Sequence, residues 1–216
     1  MRPLPTAGTL LLAITMVTGA AAAQEARLAG RLSPAARADV EAVLDSARRD
    51  GLPVEPLVDR ALEGATKGAD DARIVAAVRR LAADLGAARD AFGPGVADAE
   101  VSAGASALRA GARSEDLTRL RTLRPGQSVT VAAAVLTDLV ALGVPSDTAT
   151  AAVLSLAGLA DDATYLAFRR NVERDVALGA TPVAALTYRL FTEGRTLQSG
   201  DEIATPGAGP TRPRKP

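Results

Sequence analysis

Apolar residues recur at helical spacing along most of this chain, and the recurrence is interrupted at short intervals. The clearest stripe is Ile74, Val78, Leu81 and Leu85, a spacing that lines one side of an α-helix. Asp70 or Asp71 stands where an N-cap belongs, and Gly93-Pro94-Gly95 must end the helix just after Phe92. Upstream, Ser33-Pro34 opens a segment carrying Val40, Val43, Leu44 and Ala47, which stops at Gly51. Pro53 and Pro56 open a shorter one with Leu57, Val58, Ala61 and Leu62, closed by Gly64 and Gly68.

Downstream the punctuation continues. Ser114, Ser128 and Ser146 are placed to cap three segments, built on Leu117 and Leu120, on Val135 and Leu139, and on Val153 and Leu156. Asp161 or Asp162 opens a longer segment with Tyr165, Phe168, Val172 and Val176, and Thr181-Pro182 opens the last, with Val183, Leu186 and Leu190. Residues 96–110 form the weakest element. Ala and Gly dominate there, and Gly104 costs about 1 kcal/mol of helix propensity relative to Ala.

No segment alternates apolar and polar residues for long enough to make a sheet. The predicted fold is all-α: about eight or nine short helices joined by Gly/Pro turns, as an irregular bundle or a short array of helical hairpins. Gly51-Leu52-Pro53 resembles Gly143-Val144-Pro145, and Asp70-Asp71-Ala72 resembles Asp161-Asp162-Ala163. Both matches fit a duplicated helical hairpin, the unit of helical solenoids.

The two ends differ from this middle. Residues 1–23 have the form of a secretory signal peptide: Arg2, an apolar run from Thr9 to Val17, then Ala21-Ala22-Ala23 before Gln24. Residues 24–195 are expected to be one helical domain. Residues 196–216, rich in Pro and Gly, bury too little to offset ordering and are expected to form a disordered tail. Arg far outnumbers Lys, and Asn171 is the sole Asn, a bias that suggests a GC-rich bacterial genome. The expected location is the periplasm or the cell exterior, with no transmembrane segment once the signal is removed, because the most apolar later run, Val129–Leu142, is short and contains Asp138.

Composition narrows the chemistry. The 216 residues include no Cys, no His and no Trp. Disulfides, thiolate or imidazole metal sites and His-dependent nucleophilic catalysis are therefore excluded. Lys67 lies in a Gly-flanked turn, unsuited to lowering its pKa by burial. Asp70-Asp71 and Asp161-Asp162 read as helix caps rather than ion ligands. Basic and acidic residues balance at 25 each, so no basic field points to nucleic acid.

Two sets of residues are candidate contacts. Tyr165, Phe168, Tyr188 and Phe191 form two pairs at helical spacing, either dense core or an apolar groove for a ligand or peptide. Arg79, Arg80, Arg169 and Arg170 could contact an anion if they share a face, or be solvated. The expected function is that of a non-enzymatic, cofactor-free envelope protein that binds another envelope protein or itself. A periplasmic carrier of small apolar ligands or lipids is the alternative.

Overall fold

The computed structural model describes residues 27–199; of residues 196–199 only the backbone is described. The signal-like segment 1–23 and residues 200–216 of the expected tail lie outside the described residues. Nine helices are bounded there: α1 (Pro34–Arg49), α2 (Glu55–Thr66), α3 (Asp71–Phe92), α4 (Asp98–Arg109), α5 (Ser114–Leu123), α6 (Thr130–Ala141), α7 (Ser146–Leu156), α8 (Asp162–Ala177) and α9 (Pro182–Ser199). The described residues contain no strand, and the fold is all-α as expected. Helix α9 continues to Ser199, past the boundary expected at residue 195.

Caps and stops explain where the helices begin and end. Side chains of Ser33, Asp70, Asp161 and Thr181 accept hydrogen bonds from the N–H groups of Ala36, Arg73, Thr164 and Ala184, satisfying donors that the helix itself cannot pair. Three expected caps are corrected. Ser114 and Ser146 are the first helical residues rather than caps, the cap positions being Arg113 and Pro145. Ser128 lies one residue before the cap position of α6, and its hydroxyl accepts from the Thr130 N–H at 3.2 Å. At α5 the Asp116 carboxylate reaches back to the Arg113 N–H at 3.0 Å. The first turn is thus tied by an acid at its third residue, without help from a serine.

Five helices end alike. The N–H of Leu52, Ala69, Ala112, Val144 or Ala180 donates to the carbonyl five residues earlier, at 2.8–3.1 Å. Each follows a glycine with positive φ, +66° at Gly51 and +97° at Gly143, where a Cβ would be strained. The residue after each glycine is apolar and turns back onto the core. The Gly-Leu-Pro and Gly-Val-Pro matches in the sequence are two of these stops.

The principal helix contacts all join a helix to the next one, or the next but one, along the chain. Helix α3 packs on α1, α2, α4 and α5, and α6 packs on α4, α7 and α8. Such near-neighbour packing is compatible with either expected form, an irregular bundle or a short array of helical hairpins. A cross-link repeats within it. Arg79 of α3 reaches back two helices to Asp39 at 3.2 Å, and Arg169 of α8 reaches back two to Asp138 at 3.1 Å.

Helix α4, the weakest element on propensity, is held by close packing. A Cβ added at Gly104 would lie 2.5 Å from the Phe92 ring and 3.0 Å from Ala88 Cβ. The missing side chain is what lets α4 settle against α3, with Val101, Ala105 and Ala107 fully buried beside it. Where propensity loses, contact area more than compensates.

Candidate binding surface

The core ends at the last helical layer, α8 and α9. Helix α8 turns Tyr165, Phe168 and Val172 inward, all fully buried, and α9 buries Ala185 and Leu186. The opposite stripes are Ala163, Leu166, Arg170, Arg174 and Ala177 on α8, and Ala184, Thr187, Tyr188, Phe191 and Arg195 on α9. Both are solvent-exposed, because no later described helix covers them.

This layer collects the exposed apolar bulk of the molecule. Among the described residues, the large hydrophobic side chains left in solvent are Leu159, Leu166, Leu178, Val183, Tyr188 and Phe191; Leu159 lies in the turn just before α8 and the other five lie within this layer. Leu178 is 80% exposed, Phe191 62% and Tyr188 59%. Leu178, Ala180, Ala184, Ala185 and Tyr188 line a notch of about 430 Å³. Asp175 and Arg189 close its polar end through two contacts, at 2.6 and 2.7 Å. The Arg189 hydrogen bonds hold the Asp175 carboxyl below the usual carboxylate range.

The charged residues on the two outward stripes are Arg170, Arg174 and Arg195, with no Asp or Glu. The Arg195 guanidinium lies over the Phe191 ring, 5.4 Å from its centre. Arg174 stands 3.8 Å from Asp175, which also lines the notch, so the positive charge without a carboxylate among the described residues is carried, on the two stripes, by Arg170 and Arg195.

The aromatic quartet read from the sequence is thus divided. Tyr165 and Phe168 are fully buried and line no accessible groove, whereas Tyr188 and Phe191 are in solvent. Both pairs have the same three-residue spacing, so spacing could not tell them apart. The difference is that α8 turns its ring pair into the core, where Tyr165 meets the Val153 carbonyl of α7, while α9 leaves its pair in solvent.

The arginines divide too. Arg79 and Arg169 hold the ion pairs to Asp39 and Asp138, and Arg169 also meets Glu173 at 3.3 Å. Their sequence neighbours Arg80 and Arg170 point elsewhere and are exposed. The four do not share one face.

Sequence reasoning missed the buried charges. Arg124, just after α5, is 1% exposed. It donates to the carbonyls of Ser128 and Ala160 at 3.0 and 2.6 Å and to Asp162 at 2.8 Å. Its guanidinium also lies 5.2 Å from the centre of the Tyr165 ring. Tyr165 in turn donates to the Val153 carbonyl at 2.7 Å, and burial pushes its phenol up to about 12. Glu100 accepts from Arg121 at 2.8 Å and from the N–H groups of Val129 and Ala97 at 3.0 and 3.1 Å. Burial alone would raise its pKa; these donors outweigh burial and hold it below the usual carboxylate range. Every strong partner of Arg124 and Glu100 is a protein group that fixes a turn, so the two act as structural pins. The one local signal was Glu100 at the third position of a helix.

A cleft of about 750 Å³ runs between α1 and α3. Ala42, Ala82, Ala83 and Gly86 line it, with Asp39, Arg79 and Asp90 among its charged residues. No group of three or more Asp and Glu in the described region is arranged to hold a metal ion, and no described helix is long and apolar enough to cross a membrane. No family model, curated protein or solved structure matches the chain.

Proposed function

We propose that this protein is a non-enzymatic binding module of the bacterial envelope. In this reading the outer face of α8 and α9 is its docking surface, and the partner presents an apolar helix flanked by carboxylates. The observation that carries the reading is the concentration of exposed Leu178, Tyr188 and Phe191 on the uncovered terminal layer. Apolar side chains of this size, clustered on an exposed face, mark interaction sites. The carboxylate requirement follows from the all-arginine charge of the outward stripes. A helix is favoured as occupant because the alanine-lined notch has the form of a hole for one side-chain knob, and because each earlier layer is covered by a helix. The sequence's alternative, an apolar-ligand carrier, has less support, since the cleft between α1 and α3 is lined by Asp39, Arg79 and Asp90 as well as by alanines.

The test is photo-crosslinking in the native host, with the reactive residue at Tyr188 and, as control, at exposed Ala38 on α1. The expected result is one dominant captured protein from position 188 alone, whose crosslinked peptide is apolar and acidic. Capture is expected to disappear in L178S/F191S, a variant whose melting temperature is nearly unchanged. Equal capture at both positions, or none at 188, overturns the reading.

A further inference from the structure

We infer that a second cleft, formed by α2, α3 and α4, binds a phosphate-type oxyanion. It measures about 360 Å³, and its charged lining is Arg60 from α2, Arg73 and Arg80 from α3, and Arg109 from α4. The rest of the lining is Ala76, Ala77 and Leu81. Four arginines from three helices thus line one notch whose lining includes no carboxylate. Arg60 is paired with Glu63 at 3.0 Å, and Arg73 stands 4.0 Å from Asp70. Among the described residues neither Arg80 nor Arg109 has a carboxylate partner.

The small floor matters as much as the charge. Alanines at 76 and 77 leave open space where longer side chains would fill the notch or neutralise it. Guanidinium groups present planar pairs of N–H donors that match two oxygens of a phosphate. Arg80 and Arg109, without a carboxylate partner among the described residues, add like charge to the notch, and that repulsion is screened as ionic strength rises and the Debye length falls below about 10 Å. A doubly charged oxyanion satisfies the donors and cancels the repulsion together. The adjoining groove carries Asp59 and Glu63, but these are engaged by Arg27 and by Lys67 with Arg60. The ligand is either a free phosphate compound or an anionic lipid headgroup.

The experiment uses the mature chain and R80A/R109A, in low-salt buffer, with sodium pyrophosphate titrated against sodium chloride at matched ionic strength. Melting is followed by far-ultraviolet circular dichroism, and affinity by calorimetry. The wild type is expected to show a saturable rise in melting temperature with pyrophosphate beyond that with chloride. In R80A/R109A the affinity should fall at least about tenfold, as expected for lost charge-assisted hydrogen bonds. The variant should also melt no lower than wild type without ligand, because removing two unpaired arginines relieves repulsion. Equal effects of pyrophosphate and chloride, or an unchanged affinity in the variant, overturn the inference. Sedimentation with vesicles of phosphatidylglycerol and phosphatidylcholine, against phosphatidylcholine alone, separates the two sources. Arg80- and Arg109-dependent binding to the anionic vesicles assigns a lipid headgroup, and pyrophosphate binding without vesicle binding assigns a free anion.

Discussion

Replacing Gly104 by alanine sets two physical effects of opposite sign against each other. In a helix interior the change removes backbone freedom from the unfolded chain and is worth about 1 kcal/mol of added stability. In this fold the new methyl would sit 2.5 Å from Phe92 Cε2 and 3.0 Å from Ala88 Cβ, where ordinary carbon contacts begin near about 3.5 Å. The overlap with the ring is therefore about 1 Å. Phe92 is 5% exposed and has little room to retreat, since Arg121 lies over its ring at 5.7 Å. Overpacking of this kind costs about 1–3 kcal/mol. With an overlap of this size against a buried ring the steric cost outweighs the gain, and G104A should be destabilised by up to about 2 kcal/mol net. Urea unfolding followed by circular dichroism measures it. A double-mutant cycle with F92L identifies the cause: the smaller side chain should relieve G104A, giving a favourable coupling of about 1 kcal/mol or more. A more stable G104A, or zero coupling to residue 92, would refute the packing argument and return α4 to propensity alone.

Two further outcomes test the buried charges. R124A should lose about 3–5 kcal/mol in the same unfolding assay, because two carbonyls and the Tyr165 ring face lose their partner, whereas D162N, at a half-exposed carboxylate, should lose about 1 kcal/mol or less. Glu100 sets an acid dependence: its folded pKa is depressed, so its contribution is full above the unfolded value near 4.5 and is lost as pH falls through the lower folded value. Unfolding free energy measured from pH 6 to pH 3 should therefore fall less steeply in E100Q than in wild type.

The turns, stripes and caps of this fold were legible in the sequence because each is a local event. Gly51-Leu52-Pro53 and Gly143-Val144-Pro145 stop helices through a hydrogen bond five residues long, and Asp70 and Asp161 cap within three. The stripe Ile74, Val78, Leu81, Leu85 is buried as its spacing requires. Ser114, Ser128 and Ser146 misled because a backbone N–H can be satisfied by a following acid, such as Asp116, as well as by a serine at the cap.

What only the tertiary structure decided depends on contacts between residues far apart in the chain. Periodicity places Tyr165 with Phe168, and Tyr188 with Phe191, but which pair meets another helix depends on the order in which layers stack. The same holds for charge. Arg79 and Arg80 are adjacent in sequence, yet the rotation of about 100° from one helical position to the next sends them to different neighbours, Asp39 for the first and the cleft lined by Arg60, Arg73 and Arg109 for the second. Arg124 illustrates the limit most clearly: nothing in the residues beside it marks it as buried, and it is buried because Ser128, Ala160 and Asp162 converge on it. Local hydrogen bonding and amphipathicity are written in a few consecutive residues. Burial, close approach and the meeting of like charges belong to the packed whole.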